Sequence, residues 1–218
     1  YLDVLMIHKA YRRKGAATAL VKEAEKLAEN RKVGLMLVRP EQYEGPSGLT
    51  YRSCGFEKAF DVYEMETTIS RAEIESKVQT MSIPRTQKAP IKTHIMICGW
   101  ISISRKTWYY TVNPNLDDLY RFSASDLTLS AKIATRTYFL RVQQNFFNHT
   151  KGALFLWAPL PLDGKELRAT FRASKSAARW LGIRTLTTRT IERYVSMLEK
   201  QGFRKGSKTD TYLAKKLS

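Results

Sequence analysis

The chain has 218 residues, of which 43% are hydrophobic, and it carries a formal net charge of +17 at pH 7. This apolar fraction is enough for a packed core, so the composition excludes a disordered or fibrous protein. The chain has only two cysteines and three histidines, which predicts no disulfide framework and no metal site. It has no apolar run of about 20 residues, which predicts no membrane partner. We therefore expect a soluble, cytoplasmic protein.

The positive charge is concentrated in the second half of the chain. Residues 1–92 contain 16 Lys and Arg against 12 Asp and Glu, whereas residues 93–218 contain 21 against 8. All four tryptophans also lie in the second half. A basic, aromatic-rich half indicates an anionic partner such as nucleic acid or an acidic protein surface, although such a composition also serves solubility alone.

The first 66 residues alternate between strand and helix patterns. Apolar residues between positions 17 and 28 recur at spacings of three and four, which is typical of the buried face of a helix. Short apolar runs on both sides are typical of strands, and Gly55 ends a second, short helix. In chain order we predict strand 2–7, helix 17–28, strand 33–38, helix 49–54 and strand 56–66.

The pattern changes after residue 66. Residues 70–81 favour a helix, and residues 82–92, which contain two prolines, read as a linker. Residues 94–112 favour a hairpin with a basic turn. Residues 126–134, preceded by an N-cap serine, favour a helix, and residues 136–147 fit either a helix or a strand, with helix preferred.

The last third of the chain returns to the order of the first. Its corner "EKQGFRK" is similar to "RSCGFEK" in the first third, which indicates two units of one architecture in tandem. We predict a first unit at 1–66, a helix and linker at 67–92, and a second, basic unit at 93–218. Within the second unit the predicted elements are strand 152–160, helix 166–181, strand 183–188, helix 191–201 and strand 209–217.

The stretch "RRKGAA", residues 12–17, joins the first predicted strand to the first predicted helix. The first amides of a helix have no partners within it and lie at the positive end of its dipole, so this junction suits an anion such as pyrophosphate. Gly15 lets the backbone approach the anion, and Ala16 and Ala17 leave the amides unobstructed. Three basic residues add charge: Arg12, Arg13 and Lys14.

The same residues carry a family resemblance. Arg12, Gly15 and Ala17 match the pattern (Gln or Arg)-x-x-Gly-x-(Gly or Ala), with a strand before it, a helix after it and "YRSCGF" further on. This arrangement resembles the Gcn5-related N-acetyltransferase (GNAT) family over residues 1–66. The resemblance implies an α/β (α+β) fold with a mixed sheet flanked by helices. It also implies acetyl-CoA as the cofactor, with its pyrophosphate bound by the loop.

The resemblance implies roles for three further residues. In the family the strand before the loop holds the pantetheine arm through its backbone, and Met6 and Ile7 occupy that position. A tyrosine four residues before the Gly-Phe pair often protonates the departing CoA thiolate, and Tyr51 matches it. The alternative for Tyr51 is a tyrosine that only packs the helix against the sheet.

The resemblance also implies a missing part. GNAT domains have strands and two helices before the loop, whereas only about ten residues precede it here, and the chain starts at Tyr1 without a methionine. We therefore expect a processed or truncated chain. The missing half would come from another segment, such as residues 94–112, from another chain, or from sequence before Tyr1.

Residues 93–218 resemble the same family more distantly. The loop before helix 166–181, "APLPLDGKEL", has two prolines where amide donors are needed, and its acidic residues add negative charge. Leu198 stands at the position of the family tyrosine. We therefore expect this unit not to bind acetyl-CoA in the usual manner.

Helix 166–181 is predicted to carry a basic stripe. Four of its cations recur at spacings of four, three and four, so they lie on one side of the helix. The stripe is either a solvated face or a contact for nucleic-acid phosphates or an acidic protein. Its residues are Arg168, Arg172, Lys175 and Arg179.

The resemblance implies an enzyme that transfers an acetyl or other acyl group from CoA to an amine, on a small molecule or a protein. The alternative is a catalytically inactive GNAT-like protein with a structural or docking role in a larger assembly, such as a phage particle or a nucleoprotein complex. In that case the protein would reside in a virus particle. The sequence leaves the amine substrate and the oligomeric state open.

Overall fold

The structure, a computed structural model, describes residues 2, 5–70, 80–82, 98–100, 126–133, 136–159 and 163–217. The chain forms two compact units: unit 1 contains the described residues up to Val62 and from Lys208 onwards, and unit 2 those from Tyr63 to Ser207. The described helices are α1 (Ala16–Asn30), α2 (Pro46–Ser53), α3 (Gly164–Trp180) and α4 (Glu192–Glu199). The described strands are β1 (Leu35–Val38), β2 (Glu57–Thr68), β3 (Thr80–Ser82), β4 (Cys98–Trp100), β5 (Asp126–Ile133), β6 (Arg136–Gln144), β7 (Lys151–Pro159), β8 (Thr185–Ile191) and β9 (Arg204–Lys216).

In unit 1 the strands are ordered β1, β9, β2. β1 runs antiparallel to β9, with Val38 opposite Leu213, and Leu2 forms a single parallel bridge to Val38. One core joins these strands to α1 and α2. Its buried residues are Val21, Met36, Val38, Tyr51, Cys54, Phe56 and Leu213.

Lys215, on β9, forms hydrogen bonds to α1 and to the end of α2. Its Nζ atom donates to Glu25 Oε2 on α1 and to the carbonyl oxygen of Cys54 at the end of α2, each at 2.8 Å. Because the last carbonyls of a helix lack partners within it, Lys215 satisfies one of them while also neutralising Glu25. The final strand of the chain thus holds in place two helices that begin far earlier in the sequence.

In unit 2 the strands are ordered β2, β8, β7, β6, β5, β3, and β4 pairs with β7. Strands β5, β6 and β7 are antiparallel, whereas β7 and β8 are parallel and are connected through α3. Such a parallel pair needs a crossover, and α3 supplies it. The core of this unit includes Met65, Leu140, Val142, Leu154, Leu156, Leu167, Phe171, Ala178, Ile183, Leu186, Val195, Leu198 and Phe203.

The division into units differs from the predicted boundaries at residues 66 and 93. β9, at the end of the chain, pairs with β1, so the described residues from Lys208 onwards belong with the first 62. The prediction placed them in the second unit because local periodicity carries no information on which strand a segment pairs with.

The elements predicted within residues 17–66 and 152–217 are confirmed. Predicted helices 17–28, 49–54, 166–181 and 191–201 correspond to α1, α2, α3 and α4. Predicted strands 33–38, 56–66, 152–160, 183–188 and 209–217 correspond to β1, β2, β7, β8 and β9. Three of these helices are followed by a glycine with positive φ, namely Gly55, Gly182 and Gly202, so the sequence signal for their ends was strong.

Two predicted helices are wrong. Residues 126–133 and 136–144 form β5 and β6, which pair antiparallel with Leu129 opposite Leu140. Leu140 and Val142 lie on one face of β6 and are fully buried, and Arg141 on the other face is 9% exposed. Pairing with strands on both sides overrides the local preference for helix.

The remaining differences concern shorter segments. Thr80 and Met81, predicted as the end of a helix, belong to β3, which pairs with β5. Of the predicted strand 2–7, Leu2 makes a bridge, whereas residues 5–7 form no regular strand. Residues 71–79 and all of the predicted hairpin except Cys98–Trp100 lie outside the described residues.

Asp61, on β2, is a buried carboxylate of unit 1 that forms a charge cluster with two exposed lysines. Its carboxylate, in a residue 6% exposed, accepts hydrogen bonds from Thr211 Oγ1 at 2.6 Å and Lys58 Nζ at 2.7 Å, and Lys208 Nζ lies 3.6 Å away. Burial alone raises the pKa of Asp61. The hydrogen bonds from Lys58 and Thr211 and the charge of Lys208 outweigh it, so the pKa lies below its ordinary value.

We predict that replacing Asp61 by asparagine weakens the acid dependence of folding stability. Because the folded pKa of Asp61 lies below the unfolded one, the carboxylate stabilises the fold above about pH 4 and loses this contribution as the pH falls through the folded pKa. Asp61→Asn should also lower the free energy of unfolding at neutral pH by about 1–3 kcal/mol.

Urea unfolding between about pH 3 and pH 7 checks this prediction. Glu57→Gln, which removes an exposed carboxylate from the same strand, is the control and should leave the pH dependence unchanged. If the free energy of unfolding falls as steeply at low pH in Asp61→Asn as in the unchanged protein, the role of this cluster is contradicted.

Candidate active site

A cavity of about 700 Å³ lies in unit 1. Residues from three segments line it: 5–7, 11–18 and 41–51. The second segment contains the basic loop and the first turn of α1, and the third runs from the end of β1 into α2. The cavity therefore lies where the basic loop before α1 meets the connection between β1 and α2.

The loop before α1 contains two residues in the left-handed backbone region. Arg13 has a φ of 59° and Gly15 a φ of 79°. This region favours glycine, and it is uncommon for a residue such as Arg13. A Cβ atom placed on Gly15 would meet no atom within 4 Å, so the backbone conformation, and not a lack of space, accounts for the glycine. The same open space leaves the start of α1 accessible to a ligand.

Arg12 is anchored beside the cavity. Its Nε atom donates to the carbonyl oxygen of Ile7 at 3.0 Å, and both residues line the cavity. This hydrogen bond links the basic loop to the segment before it. The guanidinium group is therefore held at the cavity by the fold of the loop.

The start of α1 presents unpaired amides. The first backbone hydrogen bond of the helix runs from Ala19 N to Gly15 O at 3.0 Å, so the amides before Ala19 have no acceptor within the helix. No side chain caps this end, and its first turn contains no acidic residue. Ala16, Ala17 and Thr18 line the cavity. With the helix dipole and the two arginines, this end of α1 is suited to bind an anion.

Tyr51 lies in α2 and is 5% exposed. Its ring packs edge-on against Phe56, with the ring centroids 5.7 Å apart, and belongs to the core of unit 1. The residue also lines the cavity. Packing therefore holds the ring in one place beside the same cavity that the start of α1 faces.

The loop that leads into α2 is tightly folded. The Oγ atom of Ser47 donates to the carbonyl oxygen of Gln42 at 3.3 Å, and the amide of Gly48 donates to the same oxygen at 3.3 Å. Gly48 is buried, and a Cβ atom there would lie 1.8 Å from the carbonyl oxygen of Tyr43. The position of α2, and with it Tyr51, thus depends on a residue without a side chain.

We predict that Gly48→Ala destabilises the fold because the added methyl group forces the backbone of this loop to move. The free energy of unfolding should fall by about 1–3 kcal/mol, as in other overpacked sites. Gly34→Ala, where a Cβ atom meets nothing within 4 Å, is the matched control and should change stability little. Urea titration measures both, and equal stabilities of the two variants would contradict the close contact at Gly48.

The structure brings the predicted donor-site residues together. All of them except Lys14 line the one cavity: Met6, Ile7, Arg12, Arg13, Gly15, Ala16, Ala17 and Tyr51. The ammonium group of Lys14 lies 5.8 Å from the ring centre of Tyr11.

The predicted basic stripe lies in unit 2, on α3. Arg168, Arg172 and Arg179 are exposed, and Lys175 is half-buried.

The sequence analysis missed the third wall of the cavity. Glu41, Gln42, Ser47 and Thr50 line it from the loop after β1 and from α2. Of the charged residues in the lining, Glu41 is acidic, whereas Arg12 and Arg13 are basic. A signal was available, since this loop, like the basic loop, leads into a helix of the same unit, but its residues match no motif.

The described part of the chain offers no group of three or more His, Cys, Asp or Glu side chains that would hold a metal ion. Among the described helices none has the length and apolar character to cross a membrane.

Comparisons with known proteins show which family model and which folds the chain resembles. Residues 1–56 match the family model described as the acetyltransferase (GNAT) family. A search of curated proteins found no match. The chain is similar in structure to GCN5-related N-acetyltransferases from Anabaena variabilis (14% identity, TM-score 0.65) and Kribbella flavida (12% identity, TM-score 0.65). Each match covers 98% of this chain, and 54% and 51% of the respective relative.

The chain thus spans about half the length of these two structures. It is also similar to a tandem GNAT protein from the clavulanic acid biosynthesis pathway, with 12% identity and a TM-score of 0.50, over 99% of this chain and 74% of that one. At such identities the likeness concerns the fold. The chain therefore has the GNAT fold, and its first 56 residues match the GNAT acetyltransferase family.

Proposed function

We propose that the cavity of unit 1 binds an acyl-CoA, with acetyl-CoA as the donor, and that the protein transfers the acyl group to an amine. The observation that carries this proposal is that the anion-binding start of α1 and Tyr51 line one cavity. Acyl transfer from CoA needs both a site for the donor's phosphates and a proton source near its reactive end. The match of residues 1–56 to the GNAT family supports the same activity.

The residues present fit this donor. The amides of Ala16 and Ala17 would bind the pyrophosphate, and Arg12 and Arg13 would offset its charge. The segment with Met6 and Ile7 would hold the pantetheine arm through its backbone. A volume of about 700 Å³ is large enough for much of such a ligand.

The chemistry assigned to this chain centres on Tyr51. The donor supplies a thioester whose carbonyl carbon is attacked by the amine nitrogen. As the new C–N bond forms and the C–S bond breaks, the departing sulfur would take the proton of Tyr51 Oη, and the attacking nitrogen would pass its surplus proton to the tyrosinate, which restores the phenol. Core packing against Phe56 keeps the ring from turning away, which limits the motion needed for the transfer.

Unit 2 presents the contrasting case. The start of α3 is already capped, because the carboxylate of Asp163 accepts from the amides of Lys165 at 2.8 Å and Glu166 at 2.9 Å. Glu166 adds a second negative charge in the first turn. An anionic donor would be repelled here, so we propose one donor site per chain, in unit 1.

Isothermal titration with acetyl-CoA tests the proposal, on the full-length gene product and on this chain. We expect a stoichiometry of one and a dissociation constant within about 1 μM–1 mM, the usual range for enzyme substrates. Release of free CoA in the presence of a panel of amines then identifies the acceptor class. Lack of binding at millimolar donor would remove the enzyme proposal and favour a non-catalytic docking role.

A further inference from the structure

The turn between β6 and β7 holds two phenylalanines in solvent. Phe146 is 83% exposed and Phe147 is 93% exposed, with ring centroids 5.3 Å apart. Single exposed apolar residues are normal on protein surfaces, whereas adjacent exposed apolar side chains that form a patch mark interaction sites.

This turn is well ordered by hydrogen bonds. The side-chain oxygen of Asn145 accepts from the amides of Phe147 at 2.9 Å and Asn148 at 3.0 Å. The backbone also closes the turn, from Asn145 N to Lys151 O and from Lys151 N to Asn148 O, each at 2.9 Å. The backbone beneath both rings is therefore fixed before any partner binds, which lowers the entropic cost of binding.

Hydrogen bonds connect the turn to the segment that follows the C-terminal end of α3. Gln144 Nε2 donates to the carbonyl oxygen of Leu181 at 2.9 Å, and Arg184 N donates to the carbonyl oxygen of Thr150 at 2.7 Å. Trp180, which directly precedes Leu181, is 76% exposed. Three exposed aromatic residues thus lie at one end of unit 2, and we name them the aromatic end: Phe146, Phe147 and Trp180.

The basic stripe of α3 leads to this aromatic end. Its cations, from Arg168 to Arg179, follow each other every three or four residues, which places neighbours about 5–6 Å apart along the helix axis. No acidic residue occurs between Leu167 and Ile191, or between positions 127 and 162. These segments therefore contribute no acidic residue to this surface, and the carboxylates of Asp163 and Glu166 lie at the opposite end of α3 from Trp180.

We propose that unit 2 binds single-stranded nucleic acid, with the phosphates along the basic stripe and bases stacked on the aromatic end. A row of cations along one helix matches a linear polyanion, whereas the charges of an acidic bilayer are spread over a plane. Exposed rings offer faces to any base, so this binding is largely independent of sequence. The proposal is separate from the donor site of unit 1.

Fluorescence anisotropy with a labelled oligothymidylate of about 15 nucleotides tests this proposal. Contacts with three or four phosphates predict that the logarithm of the binding constant falls with the logarithm of salt concentration with a slope of about −2 to −3. Phe146→Ala with Phe147→Ala should raise the dissociation constant about 10-fold or more without changing this slope. Arg168→Ala with Arg172→Ala should reduce the slope by about 1.4.

Matched controls lie elsewhere on the chain. Leu27→Ala removes an exposed apolar side chain from α1, and Lys200→Ala removes an exposed cation after α4. Neither variant should change the affinity for the oligonucleotide by more than about 2-fold. Three outcomes would overturn the proposal: no binding at about 50 mM salt, equal affinity in the phenylalanine variant, or binding of phosphatidylserine vesicles in place of the oligonucleotide. Titration of acetyl-CoA with the same proteins reports separately on the donor site.

Discussion

Gly15→Glu is expected to abolish binding of acetyl-CoA, with the dissociation constant raised about 100-fold or more. A non-glycine residue at a φ of 79° costs about 1–2 kcal/mol. A carboxylate at the start of α1 also replaces an attraction for the pyrophosphate by a repulsion of similar size. Calorimetric titration of the donor measures the effect.

Gly15→Asn separates these two causes. Asparagine tolerates the left-handed conformation better than other residues and carries no charge, so the affinity for the donor should fall only a few-fold. Circular dichroism of both variants checks that α1 still forms. Tight binding of acetyl-CoA by Gly15→Glu would show that the loop before α1 is not the phosphate site.

Tyr51→Phe is expected to lower kcat about 100-fold or more while the affinity for acetyl-CoA changes less than 2-fold. The substitution removes the proton source and keeps the ring that packs against Phe56. A loss in kcat without a loss in binding is the result expected for a group that acts in the reaction step. Steady-state kinetics with an amine that supports CoA release in the assay proposed above, together with calorimetry, measures both quantities.

Tyr43→Phe is the matched control for this prediction. Tyr43 lies in the loop just before α2, where its ring faces the guanidinium of Arg52 at 4.7 Å, and it does not line the cavity. Its hydroxyl should therefore be dispensable for kcat. An unchanged kcat in Tyr51→Phe would assign Tyr51 to packing alone, which is the alternative reading of its sequence position.

The donor side of the candidate site could be predicted from the sequence because it depends on short-range features. Gly15, the alanines after it and the arginines before it are consecutive, so their chemistry and order are visible as a motif. Their left-handed backbone and uncapped helix start follow from the same few residues. The opposite wall, with Glu41 and Gln42, comes from a second connection and became visible only when the fold placed it beside the first.

In the fold, too, some elements could be predicted from the local sequence and others could not. The helices and strands within residues 17–66 and 152–217 could be predicted because each has a clear apolar pattern, and three of the helices end just before a glycine. β5 and β6 were predicted as helices because their patterns fit both structures, and pairing with each other and with β7 decides the matter. Hydrogen bonds between strands depend on partners that the local sequence does not contain.

By itself the sequence determined the basic loop, the helix that follows it and the tyrosine that belongs to the same motif. Only the tertiary structure decided that Tyr51 and the start of α1 share one cavity. It also decided that β9 belongs to unit 1, where Leu213 lies opposite Val38 and Lys215 forms hydrogen bonds to both α1 and the end of α2. The physical reason is distance along the chain. Local conformation depends on neighbouring residues, whereas packing joins residues about 40 to 190 positions apart, and no short motif records those contacts.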